Sequence, residues 1–131
     1  MPERAQRTVI AFDFGLKRIG VAVGEPELRT AHPLPPIAAP GFSTIEKLVA
    51  EWQPSQLVVG LPVADEGEHP LAKRVERFAR QLEGRFRVPV ARVDERFSSV
   101  EAESRLRGSK KKSVDSVAAQ LILEQYFDEA A

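Results

Sequence analysis

The sequence predicts an α/β fold built on a mixed five-stranded sheet flanked by helices, and three observations predict it. Short apolar runs at Val9–Phe14, Gln56–Gly60 and Val88–Val93 read as strands, the first apolar on both faces except for one acid, as a covered sheet requires. Stretches with helical spacing alternate with these runs, which calls for crossover connections and parallel pairing. A glycine-bounded turn, Gly15–Gly20, separates two apolar runs near the start, which adds an antiparallel hairpin.

Taken in order, residues 1–7 are a polar lead-in, expected to be flexible. Strand one covers about 8–14, with Ile10, Phe12 and Phe14 on one face and Val9, Ala11 and Asp13 on the other. The chain returns as a strand over Ile19–Val23, leaving Lys17 and Arg18 at the hairpin tip. Five prolines at 26, 33, 35, 36 and 40 exclude a helix over 26–42. An edge strand near Arg29–His32 with an extended tail fits them. Ser43 and Glu46 have the spacing of a capping box. The helix behind it carries Ile45, Leu48, Val49 and Trp52 on one face and must stop before Pro54.

After the strand at Gln56–Gly60, an acidic loop runs from Leu61 to His69. Pro70 suits the first turn of the next helix. The buried stripe there is Leu71, Val75, Phe78, Ala79 and Leu82, and Gly84 is expected to end the helix. Val88–Val93 is the fifth strand. Ser98 and Glu101 form a second capping box, opening a helix to Gly108. Ser113 caps a last helix running to about Asp128. The order is β-β-β-α-β-α-β-α-α.

The chain of 131 residues is expected to be a single domain, 1–131. With 43% apolar and 29% charged residues it belongs with globular chains rather than disordered ones. It has no apolar run of membrane-spanning length, so no membrane is expected. The charged N-terminus leads into no apolar signal region, and the chain has no cysteine; both fit a cytoplasmic protein. A formal net charge of zero argues against nucleic-acid binding by bulk charge alone. Local charge is another matter: Arg105, Arg107, Lys110, Lys111 and Lys112 fall within eight residues, as either a solvated basic loop or a phosphate-binding one.

Three acids stand where apolar residues are expected. Asp13 lies in an otherwise apolar strand, either capping the turn at Gly15 or facing a partner. Glu95 shares the parity of Ala91, Val93 and Phe97, so it continues the more apolar face of its strand, unless it only pairs with Arg92 or Arg96. Asp115 lies on one stripe with Ala118, Ala119, Ile122 and Tyr126, unless it only stabilises the helix N-terminus. In open α/β sheets functional residues gather at the carboxyl ends of strands, where Asp13 and Glu95 both sit. Three carboxylates brought together repel one another unless a cation holds them. Oxygen ligands without cysteine select Mg²⁺ or Mn²⁺. His32 and His69 lack ligand spacing and read as ordinary loop residues. A metal pair about 3.5–4 Å apart serves phosphodiester hydrolysis. Lys17, Arg18 and Lys110 to Lys112 would then hold phosphates around it.

Four segments carry a family resemblance: Phe12-Asp-Phe-Gly-Leu-Lys-Arg-Ile-Gly-Val-Ala22, Val59-Gly-Leu-Pro62, Asp94-Glu-Arg-Phe-Ser-Ser-Val-Glu-Ala102, and Asp115 to Tyr126. In order and spacing they resemble the YqgF family, also called RuvX or Holliday junction resolvase-like proteins, over residues 8–128. The resemblance implies an RNase H-like fold with helices on both sheet faces. It implies a cytoplasmic, metal-dependent nuclease, maturing the 5′ end of pre-16S rRNA or resolving branched DNA. By motif position Asp13, Glu95 and Asp115 become the acidic triad, with Arg96 among the nucleic-acid contacts and Gly60 to Pro62 shaping the cleft wall. Asp94 stands beside Glu95, and parity favours Glu95 as the inward ligand. The short segment after Arg96 and the acidic loop at 63–69 depart from the family pattern and bear on substrate choice.

Two other classes compete. A non-catalytic nucleic-acid-binding module would keep the groove and lose the chemistry. An ATP-binding phosphotransfer domain would use Asp13, Gly15 and Gly20 as a phosphate hairpin, although no Walker Lys-Ser/Thr follows. Symmetric cutting of a four-way junction would require a homodimer.

Overall fold

The computed structural model describes residues 7–63, 67, 69–95 and 114–130, and only the backbone of residues 114, 115 and 130. Strand β1 (Val9–Asp13) is the centre of a five-stranded sheet in the order β3-β2-β1-β4-β5. It pairs antiparallel with β2 (Arg18–Glu25), from Val9 opposite Gly24 to Asp13 opposite Gly20. On its other side it pairs parallel with β4 (Gln56–Leu61), which pairs parallel with β5 (Val90–Asp94). β2 also pairs antiparallel with β3 (Thr30–Ala38). The mixed sheet and the opening hairpin agree with the sequence reading.

The alternation in β1 divides the core. Ile10 and Phe12 join Val21, Val23, Leu57 and Val59 beneath helices α1 (Phe42–Trp52) and α2 (Ala72–Phe86), which contribute Ile45, Val75, Phe78, Ala79 and Leu82. Val9 and Ala11 join Ala22, Val58 and Val93 on the opposite face, beneath helix α3 (Val114–Ala130) with Ala119, Ile122, Leu123 and Phe127. Helices therefore cover both faces. Polar side chains fasten α3 at its two flanks. The Ser116 hydroxyl donates to the Leu34 carbonyl at 2.5 Å and accepts from Val21 N–H at 3.5 Å, beside an irregularity in the β2–β3 ladder. Gln120 Nε2 donates to the Ala31 carbonyl and Gln125 Nε2 to that of Asp94.

Several boundaries differ from the sequence reading. β3 extends through Pro33, Pro35 and Pro36 instead of ending near His32. As an edge strand it pairs on one side only, so a missing N–H can face outward without cost. Ser43 does not cap α1. The helix starts two residues earlier, behind Gly41 at φ 64°, whose carbonyl accepts from Ile45 N–H at 2.8 Å. Phe42 is thereby held in the helix, stacked 5.9 Å from Phe78 and under the Arg85 guanidinium. Packing of that ring outweighs a local capping preference. Gly84 does not end α2, which continues to Phe86 and stops at Arg87 in the left-handed region. Phe86 packs against the core, so the helix gains by keeping its last turn. The second capping box at Ser98 and its helix lie outside the described residues.

Candidate active site

Asp13 and Glu95 meet on the α3 face of the sheet. Asp13 follows the parity of Val9 and Ala11 to the end of β1. Glu95 follows that of Ala91 and Val93, one residue beyond β5. β1 and β5 are not neighbours. β4 runs between them, so their backbones lie about 10 Å apart at the usual strand spacing. The two side chains nevertheless share a hydrogen bond across β4. The residue beneath them on β4 is Gly60, one position past the Phe12–Val59 pair and opposite Val93. A Cβ there would lie 3.0 Å from Glu95 Oε1 and 2.5 Å from Ile122 Cδ1. The absence of a side chain at 60 lets Glu95 lean over the sheet toward Asp13 and lets α3 close down beside it.

Backbone contacts fix Glu95 in place. Its N–H donates to the Leu61 carbonyl at 3.0 Å, and Gln125 holds the preceding Asp94 carbonyl. The Asp94 side chain is exposed, so of the two adjacent acids Glu95 is the one turned inward, as parity predicts. Burial raises the Glu95 pKa above the ordinary carboxylate value, while the hydrogen bond with Asp13 and the charge of His69 act in the opposite direction. Two ionised carboxylates this close repel one another, so the pair is arranged for a positive charge to join it.

Arg92 does not pair with Glu95. It faces the other side of the sheet, where Nη2 meets Glu76 Oε2 and Nη1 meets Glu83 Oε2, both at 2.8 Å. That network raises the Arg92 pKa and lowers that of Glu83, chiefly through their hydrogen bond. It locks α2 to β5 and leaves Glu95 to Asp13.

The other sequence candidates separate into two groups. Lys17 and Arg18 are exposed at the β1–β2 tip, at the same sheet end as Asp13. Asp115 is the second residue of α3, next to Ser116, which touches Val21; Val21 pairs with Phe12, the residue before Asp13. The backbone of Asp115 thus begins α3 over the end of β1, and its side chain lies outside the described residues. Arg96 and Lys110, Lys111 and Lys112 lie outside them as well. Among the described residues no group of three or more acidic, histidine or cysteine side chains forms a metal-binding set.

The two histidines are not both loop residues. His32 lies in β3. His69 is in the loop between β4 and α2, near enough to Glu95 for its charge to act there. The sequence offered one signal for it: a loop leaving a parallel strand adjacent to β1 must emerge at the Asp13 end of the sheet.

A family model described as "RuvX: Holliday junction resolvase" matches residues 7–129, nearly the whole chain. The chain belongs to the RuvX family. RuvX-family relatives named "Putative pre-16S rRNA nuclease" include one from Nitrosomonas europaea, 51% identical over 98% of this chain and 94% of the relative. Another, from Methylobacillus flagellatus, is 53% identical over 98% of this chain and 97% of its own. Among solved structures, Thermus thermophilus RuvC in complex with a Holliday junction substrate resembles this RuvX-family chain with a TM-score of 0.59 at 13% identity, covering 95% of each. A Fowlpox virus resolvase bound to Holliday junction DNA gives 0.57 at 10% identity, covering 94% of this chain and 98% of that one. These likenesses establish the RuvC-like, RNase H-like fold. Among the described residues no helix is long and apolar enough to cross a membrane.

Proposed function

We propose that this RuvX-family chain is a metal-dependent nuclease hydrolysing phosphodiester bonds of structured nucleic acid, with the 5′ end of a 16S rRNA precursor as its substrate in the cytoplasm. The observation that carries the reading is the Asp13–Glu95 pair. Two half-buried carboxylates converge from different strands over a side-chain-free position. Such a pair suits a hard divalent cation, Mg²⁺ or Mn²⁺, with Asp115 at the start of α3 as the third ligand. When bound, a pair of such ions supplies activation of water and stabilisation of the leaving oxygen. Asp13 and Glu95 would hold the ions. Lys17 and Arg18 would hold strand phosphates at the hairpin tip, joined by Arg96 and Lys110 to Lys112. The names carried by close relatives over nearly their full length favour the rRNA substrate.

Resolution of branched DNA is the second reading, favoured by the description of the matching family model. It requires a homodimer presenting two sites to one junction. Purified protein with Mg²⁺ or Mn²⁺ would be tested on a pre-16S rRNA 5′ fragment, single strands and a four-way DNA junction. Cleavage is expected for the wild type, with Asp13→Asn abolishing cleavage and keeping binding. No cleavage of any substrate with either metal would defeat the reading and leave a non-catalytic binding module.

A further inference from the structure

His69 has two ring nitrogens with separate situations. Nδ1 accepts a hydrogen bond from Leu71 N–H at 3.1 Å, and the His69 carbonyl accepts from Ala72 N–H at 3.0 Å. Leu71 and Ala72 open α2, and among the described residues no other side chain caps that helix. The contact at Nδ1 places the neutral ring's proton on Nε2. It also fixes the ring plane, because the acceptor is tied to a helix backbone. Among the described residues no hydrogen bond reaches Nε2.

The fixed ring lies at the sheet end that carries the carboxylate pair. His69 is half-buried, and the strand it follows, β4, ends at Leu61, whose carbonyl accepts from Glu95 N–H at 3.0 Å. The loop that carries it leaves β4, the strand lying between Asp13 and Glu95. A nucleic-acid strand drawn to the pair must bring phosphate oxygens, which only accept hydrogen bonds. An N–H donor held at fixed orientation at the same sheet end as two carboxylates complements a phosphate lying against them. Lys17 and Arg18 stand at the tip of the β1–β2 hairpin, on the other side of β1 from β4.

We infer that His69 is a substrate-positioning residue, donating from Nε2 to a non-bridging phosphate oxygen of the strand held at Asp13 and Glu95, while Nδ1 anchors the ring to the start of α2. This rests on the nuclease reading and adds a contact on the β4 side of the site. It requires no proton transfer, only a donor at a set place.

Two substitutions separate the ring's halves. His69→Asn keeps an acceptor oxygen near the Nδ1 position and loses the distal donor. His69→Gln presents an amide N–H near the Nε2 position and loses the anchor. Both are made in wild-type and Asp13→Asn backgrounds, the latter reporting binding without cleavage. The probes are a fluorescein-labelled RNA hairpin with a single-stranded 5′ extension and a labelled four-way DNA junction. In the Asp13→Asn background His69→Asn should raise Kd about tenfold, on the scale of one charge-assisted hydrogen bond, with Tm retained. His69→Gln should hold Kd within about twofold of the parent while lowering Tm. In the active background kcat/KM should follow the same order. Wild-type-like binding by His69→Asn overturns the inference, as does a loss of binding that tracks Tm in both variants, or failure of the Asp13→Asn parent to bind either probe. Unimpaired cleavage by Asp13→Asn would instead defeat the nuclease reading, and the Kd series would still decide the contact.

Discussion

Gly60→Ala tests the geometry of the site most directly. The new Cβ would lie 2.5 Å from Ile122 Cδ1, 2.9 Å from Ile122 Cγ1 and 3.0 Å from Glu95 Oε1. Gly60 is fixed by β4, paired on both sides in mid-sheet, so its backbone cannot withdraw. Ile122 is fully buried and must change rotamer or lift α3. Overpacking of this kind costs about 1–3 kcal/mol, or a Tm lower by roughly 4–12 °C for a domain of this size. Ile122→Val removes the atom in the worst contact. Alone it should cost about 0.5–1.5 kcal/mol. Combined with Gly60→Ala it should be less costly than the sum, by on the order of 1 kcal/mol of favourable coupling. Urea unfolding of the four proteins measures this. The contact with Glu95 persists in the double variant, so cleavage should remain about three- to tenfold below wild type, on the scale of a displacement of a few tenths of an ångström. Wild-type stability in Gly60→Ala, or strictly additive urea midpoints, would refute the close approach. Wild-type cleavage by the double variant would refute the placing of Glu95 above Gly60.

Three further outcomes follow from the same structure. Gly84→Ala should stabilise the protein by about 0.5–1 kcal/mol in urea unfolding, because the position is helical and exposed and a Cβ there meets nothing within 4 Å. Glu95 has a folded-state pKa raised by burial, so its ionisation opposes folding as pH climbs from the unfolded value through the folded one. Glu95→Gln should therefore raise the Tm of metal-free protein at neutral pH while abolishing cleavage. Mn²⁺ titration calorimetry of the wild type should show proton release and weaker binding as pH falls below that raised pKa; a pH-independent affinity would contradict the raised Glu95 pKa. Glu83 shows the opposite sign. Its pKa is lowered, chiefly by the hydrogen bond from Arg92, so its contribution is present above the unfolded value and lost as pH falls through the folded one. The stability gap between wild type and Arg92→Gln should thus be open at neutral pH and narrow under acid, as followed by thermal unfolding from pH 7 to 3.

What the sequence made legible was whatever is written as period. The period of two in β1 sets Asp13 on the same face as Val9 and Ala11, and that face is the one α3 covers. The helical stripe Val75, Phe78, Ala79 and Leu82 is the buried face of α2. Boundaries were less legible because they are set by distant contacts: Phe42 is drawn into α1 by Phe78, and Phe86 keeps α2 going past Gly84. The stripe read through Asp115 is half of what α3 buries. Ala119 and Ile122 belong to it, but Ser116, Leu123 and Phe127 bury a neighbouring row, because the helix lies across β1, β2 and β3 rather than along one strand. The capping habits of Ser43 and the breaking habit of Gly84 are worth a kilocalorie or so, less than the packing that overrode them.

The pairing of Asp13 with Glu95 has a different logic, one that neither acid carries alone. Local pattern can turn each toward the same face, but it cannot say which strand lies between them. Only the order β1-β4-β5 interposes β4, and with it comes a steric demand on the residue beneath the bridge. A side chain at that point would press on the Glu95 carboxylate and push Ile122 and α3 away. The Val59-Gly60-Leu61 segment therefore belongs to the site without offering any reactive atom. A glycine inside a strand, which weakens the strand by itself, is accounted for by what must pass above it. The same topology brings the β4–α2 loop, and with it His69, to the site, since a loop leaving the interposed strand has nowhere else to emerge. Acids visible in sequence thus point to a site, and the strand order supplies the members that carry no acid at all.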